Sequence, residues 1–151
     1  MNLFIVKSTY KIFYTKYTVN SVFSDSVMNL TFDPKAEGFS KVLRDYQEEA
    51  LRFVWGSEQG VNSRLVWLHV NEAFGGEKTI SRASIINFLN AMVDEGVLNY
   101  IERSAKGGYH RVYNPKLDES GFKKAMAQSV ISSLMRDFPE ETNEVLKNYK
   151  K

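Results

Sequence analysis

A chain of 151 residues holds one modest core with appendages, and two full cores would be a stretch. Hydrophobic residues at 43% and charged residues at 25% give the balance of a globular domain, and a formal net charge of +2 lends little weight to a polyanionic partner, so any nucleic-acid role must rest on where the charges sit. The absence of cysteine excludes disulfides, thiolate zinc sites and cysteine nucleophiles and suits a cytoplasmic protein, and no apolar run approaches the roughly 18 residues of a membrane span.

Residues 1–38 stand apart as an N-terminal extension. They are rich in Phe, Tyr, Ser, Thr and Val, with loose alternation from Tyr10 to Val19, and Asp33-Pro34 and Gly38 then punctuate the chain. Four readings stay open: a basic-aromatic arm for DNA or a partner, an extra strand or hairpin, a disordered leader, or a segment upstream of a natural start at Met28. The apolar Leu3 to Val6 is followed by Lys7, Lys11 and Lys16, the reverse of the charge order in a signal peptide.

From residue 39 to 115 the pattern predicts a domain of three helices and a hairpin. Asp45 with Glu48 makes a capping-box-like start, Leu43, Tyr46, Ala50, Leu51, Val54 and Trp55 recur at helical spacing, and Gly56 stops the run. After a polar turn from Ser57 to Gly60, Asn62 or Ser63 caps a second helix with Leu65, Val66, Leu68, His69, Ala73 and Phe74 as its apolar side, ended by Gly75-Gly76. Ser81 caps a third helix that runs to Glu95. Ile85, Phe88, Leu89, Met92 and Val93 share one face, Ser84, Asn87, Ala91 and Asp94 the other, and Ala83 and Asn90 flank it. Val97 to Glu102 and Tyr109 to Tyr113 then read as strands around a loop, Ser104 to Gly108.

The remaining segment, 116–151, opens near Asp118. Phe122, Met126, Val130, Leu134 and Phe138 follow at four-residue spacing, Pro139 interrupts, and Val145 with Leu146 fit a short final helix. The apolar line serves either a dimer interface or packing onto the chain's own core.

Three helices followed by a hairpin is the order of a winged helix-turn-helix, so the expected class is α+β, mainly α. The third helix would enter the major groove and the hairpin, the wing, would follow the backbone. Asn87 can bond an adenine edge and Ser84 either base. Thr79 and Ser81 sit where hydroxyls and a helix N-terminus hold phosphate, and Arg82 reaches phosphate or guanine. Arg103, Lys106, His110 and Arg111 cluster around the glycine loop as phosphate ligands, whereas Asp94 and Glu95 direct entry to the N-terminal half of the helix. The bland alternative is a solvated polar face.

The run Leu43-Arg44-Asp45-Tyr46-Gln47-Glu48-Glu49-Ala50-Leu51-Arg52-Phe53-Val54-Trp55 resembles the first helix of the penicillinase-repressor and copper-repressor family. The segment from Ser81 to Leu89, with Glu95-Gly96-Val97-Leu98, is similar to that family's reading helix and its exit, and Tyr109-His110-Arg111-Val112-Tyr113 to its second wing strand. The resemblance covers about residues 43 to 138. It implies a homodimeric transcriptional repressor on a palindromic operator in double-stranded DNA, with Phe122, Met126, Val130, Leu134 and Phe138 between the subunits. Two departures mark this chain. Asp137-Phe138-Pro139 stands where the penicillinase branch is cut at an Asn-Phe pair, and the C-terminal cysteines of the copper branch are missing. Neither branch's inducing signal is therefore expected.

Nothing points to an enzyme, a cofactor or a metal. His69 and His110 lie far apart, and His69 reads as a core or interface histidine. Neither glycine pair has the spacing or the following Lys-Ser/Thr of a phosphate loop. Glu48-Glu49 and Glu140-Glu141 read as solvated helix-start charge. The competing functional reading is a winged-helix protein-interaction module of a transcription or RNA-processing assembly.

Overall fold

In the computed structural model, residue 28 and residues 30–149 are described; the strand, arm and leader readings for the first 27 residues fall outside them. A 3-10 turn at Gly38–Lys41 precedes α1 (Asp45–Trp55), β1 (Val61–Asn62), α2 (Ser63–Ala73) and α3 (Arg82–Asp94). The hairpin β2 (Leu98–Ala105) and β3 (Gly108–Pro115) follows, then α4 (Glu119–Asp137) and α5 (Pro139–Asn148). Among the described residues this is an α+β arrangement of five α-helices and one antiparallel sheet in the order β1-β3-β2, consistent with a winged helix.

The helix starts follow local chemistry. Asn62 accepts from the Leu65 amide at 2.9 Å, Ser81 from Ser84 at 3.0 Å and Asp118 from Gly121 at 2.6 Å, each satisfying an orphan N–H of a first turn. Helix α1 differs from the expected Asp45–Glu48 box. Arg44 is its N-cap residue, and the Gln47 side chain reaches back to accept the Arg44 amide at 2.8 Å. Asp45 is turned instead to Lys78, whose ammonium holds its carboxyl below the usual carboxylate range.

One core joins these elements apart from α5, which buries no residue. Ala50, Leu51 and Val54 of α1 meet Val66 and Val70 of α2, and Ile85, Phe88, Leu89 and Met92 of α3. Leu98 and Tyr113 close it from the sheet, with Val97 just before β2, and Met28 and Phe39 add to it from upstream of α1. The apolar side expected for α2 is corrected: Leu65 and Leu68 are nearly half exposed, and Val66 and Val70 point inward. Leu65 and Leu68 stand about 100° or more around the helix from that buried pair, so a single helix face cannot bury all four.

Two further corrections concern the sheet. Strand β1, over which the sequence shows only a turn and a cap, pairs Val61 with Tyr113 and Asn62 with Val112. Gly60 makes that approach feasible: its φ is +73°, and an added Cβ would stand 2.8 Å from the Tyr113 carbonyl oxygen and collide with the Asn114 side chain. The wing is also longer than expected. Pairing continues to Ala105 opposite Gly108, so the five-residue loop shrinks to a turn of Lys106 and Gly107.

The apolar line of α4 divides. Residues four apart in a helix of 3.6 residues per turn drift by about 40° per step, so Phe138 lies roughly 160° around from Phe122. Phe122 is fully buried between Phe39 and Trp55, with ring centroids 5.7 and 5.8 Å away, and Met126 packs at the core's edge. Leu134 and Phe138 are 44% and 58% exposed. A residue sealed inside its own protomer has no surface to offer a second subunit, so Phe122 is a core residue.

Candidate nucleic-acid interface

Burial of Ile85, Phe88, Leu89 and Met92 orients α3 and leaves Ala83, Asn87, Ala91 and Asp94 exposed along the opposite face. Ser84 and Asn90 lie half-buried at its two edges. The face is short-chained and nearly neutral, and Asn87 is its one exposed amide. At the N-terminal turn Thr79, Ser81 and Arg82 are all exposed. The Ser81 and Ser84 hydroxyls lie 2.8 Å apart, so each is engaged by the other, and the Ser81 hydroxyl also accepts the Ser84 amide of the cap.

The connection between α2 and α3 is fixed by groups that the sequence reading passed over. Asn71 accepts the Ile80 amide through Oδ1 at 2.8 Å, and its Nδ2 donates to the carbonyls of Trp67 at 2.9 Å and Ile80 at 3.1 Å. The Trp67 indole donates to the same Ile80 carbonyl at 2.9 Å. Lys78, besides its pairing with Asp45, sits 4.1 Å from the Phe74 ring centroid. The start of α3 is thus clamped to the body of the domain, and an Asn near a helix C-terminus, ten residues before the next N-cap, was the only trace in sequence.

The basic residues of the wing do not converge as their sequence proximity suggests. Directly opposed residues of an antiparallel pair share a face and successive residues alternate. Arg103 opposite His110 therefore lies on one face, while Arg111 opposite Glu102, and Tyr109 opposite Ser104, lie on the other. Lys106 occupies the turn. Arg103 and Lys106 are exposed, whereas His110 and Arg111 are half-buried.

Arg111 faces α3. Its guanidinium lies 4.0 Å from the Tyr100 ring centroid, and Nη1 donates to Asn90 Oδ1 at 2.9 Å. The same oxygen accepts the Tyr113 hydroxyl at 2.8 Å. Burial pushes the Tyr113 phenol up, the nearby Arg111 charge opposing it, so that hydroxyl remains a donor through the neutral range.

His69 is neither a core residue nor a ligand in a cluster. It stacks on Phe53 at 4.1 Å and its Nε2 lies 2.7 Å from Glu49 Oε1. The shallow hollow beside it is lined also by Arg52, Gly56, Ser57 and Val61, and Arg52 is paired with Glu48 and Glu119. Its charged groups satisfy one another. Among the described residues no three His, Cys, Asp or Glu side chains gather as metal ligands, and no helix is long and apolar enough to cross a membrane.

No family model and no curated protein matches the chain. A solved structure of a point mutant of Lactococcus lactis ZitR aligns over 99% of this chain and 93% of its own, with 16% identity and a TM-score of 0.34. So slight a likeness carries no assignment. The resemblance to the penicillinase-repressor and copper-repressor family is accordingly one of sequence pattern, and the architecture rests on the chain's own geometry.

Proposed function

We propose that this chain is a winged helix-turn-helix protein that binds double-stranded DNA and regulates transcription, acting as a repressor on a palindromic operator. The observation that carries the reading is α3 itself. It is 13 residues long, about 20 Å, with one face locked in the core, the other bearing short polar side chains, and Ile80, the residue before its N-cap, clamped to the domain through Asn71 and Trp67. A rigidly held helix of that kind suits the major groove. Asn87 would read a base edge, with Ser84 beside it, while Thr79, Ser81 and Arg82 engage the backbone at the helix start. Arg103, Lys106 and His110 would follow the phosphates along the wing.

A palindrome calls for two copies. The outer part of the α4 line, half-buried Val130 with exposed Leu134 and Phe138, is the surface available for pairing them, with Phe122 and Met126 supporting it from within each protomer. The competing role as a protein-interaction module draws on Tyr109 and Ile101, which stand 82% and 48% exposed on the wing.

Titration of the full chain against a labelled duplex from its own upstream region, with random duplex as control and at two salt concentrations, tests the proposal. Tighter binding to its own region that weakens as salt rises supports it. In that setting Asn87→Ala relaxes preference at one position by about 1–3 kcal/mol. Absence of binding even at low salt would transfer the assignment to the protein-interaction module.

A further inference from the structure

We infer that Arg111 is a positioning residue, which braces the wing against the reading helix and does not itself neutralise a phosphate; this rests on the DNA-binding reading above. Four side chains from three elements meet at one point. Asn90 of α3 accepts from Arg111 and Tyr113 of β3 through a single oxygen, and the Arg111 guanidinium covers the Tyr100 ring of β2. The Tyr100 and Tyr113 rings lie 6.3 Å apart and tilted. A guanidinium is suited to this because its plane can lie over a ring while its edge donates a hydrogen bond, which a lysine ammonium does not reproduce.

The location gives the brace leverage. Every residue from Ile101 to Tyr109 is exposed, so Arg111 is the last β3 side chain toward the tip that the structure ties to α3. Lys106 in the turn lies five residues before Arg111 in the chain, about 17 Å at the rise of a strand. Freeing the wing to rock by roughly 10° about this point would displace its tip by about 3 Å, the length of a hydrogen bond. Arg103 and Lys106 carry the tip's charge, and Arg111 sets where that charge is delivered.

Two readouts on the full-length protein test this. The chain has no cysteine, so Ala91→Cys with Ser104→Cys accepts a spin label at those two positions only. The distance distribution between the labels is narrow in the otherwise unaltered protein and broadens in both Arg111→Gln and Arg111→Lys. In parallel, binding to a random-sequence duplex is followed against salt. Each phosphate contact contributes about 0.9 to the slope of log affinity against log salt, so Lys106→Gln lowers the slope by roughly that amount, whereas Arg111→Gln, whose freed tip still meets phosphates anywhere along a random duplex, leaves it unchanged. A slope that drops in Arg111→Gln and returns in Arg111→Lys would identify a phosphate ligand and overturn the inference, as would a distribution that stays narrow in both. If the Arg111 variants do not fold, Asn90→Ala removes the same acceptor from the α3 side and must broaden the distances equally. Absence of salt-dependent binding in the unaltered chain would sink the DNA-binding reading, and the label distances would then decide by themselves whether Arg111 braces the wing.

Discussion

Replacing Phe122 by alanine separates a core residue from an interface residue. Its ring is fully buried and lies against both Phe39 and Trp55. Truncating a buried Phe removes the transfer free energy of the ring and leaves a cavity, together about 3–5 kcal/mol. A domain of this size has about 5–15 kcal/mol in all, so the variant loses a large share of its stability and its melting midpoint falls by roughly 10–20 °C. Urea unfolding is the assay, read by the emission of the two tryptophans, Trp67 and Trp55, the latter donating its indole N–H to the Leu117 carbonyl at 2.9 Å. The paired control is Phe138→Ala. That side chain is 58% exposed, and at a dilution where the chain is monomeric its loss changes stability by no more than about 0.5 kcal/mol. A loss below about 1 kcal/mol for Phe122→Ala, or a deficit at Phe138 as large as that at Phe122, would refute the division of the α4 line argued above.

Asn71→Ala strips the Ile80 amide and carbonyl of a shared partner; we expect a loss of about 1–3 kcal/mol in urea unfolding and a fall in duplex affinity that urea-free circular dichroism does not explain as loss of helix. Gly60→Ala combines a left-handed backbone with a collision, whereas Gly75→Ala, at φ +55° with open space around it, incurs only the backbone strain of about 1–2 kcal/mol; the two variants compared in urea give a larger loss at Gly60, and equal losses would deny the close approach of β1 to β3. The Asp45 carboxyl lies below its ordinary value of 3.8, first through its hydrogen bond with Lys78. Its contribution is therefore complete above that ordinary value and lost as pH falls through the lowered folded value. The pair is exposed and the effect small: the melting difference between the parent and Lys78→Met is constant near neutrality and closes in strong acid, and a difference unchanged throughout that range would exclude the pairing.

Order and type of the elements were legible where signals are local. Asn62, Ser81 and Asp118 announce helix starts because their side chains serve amides three residues away, and the burial of Ile85, Phe88, Leu89 and Met92 follows from their spacing alone. The reading face of α3 is the complement of that stripe, so Asn87 was visible in the sequence as well. Local rules misled where two partners competed for one group: Asp45 has the composition of a capping residue, yet Lys78, 33 positions away, takes its carboxylate.

Periodicity states that a helix has an apolar line; it does not state how much of that line another element covers. That is why Leu65 and Leu68 reach solvent, and why Phe122 is sealed while Phe138 is open. Strand β1 has only two residues and no period to display, and it exists because β3 offers its edge and Gly60 allows the approach. The sequence by itself determined the helices, the wing and the polar face of α3, since each depends on side chains within one or two turns or on strict alternation. Only the tertiary structure decided that Arg111 faces Asn90, that Asn71 clamps Ile80, and that Arg103 and Arg111 lie on opposite faces of one hairpin. Those facts depend on register and on packing between segments, which no short window of sequence contains.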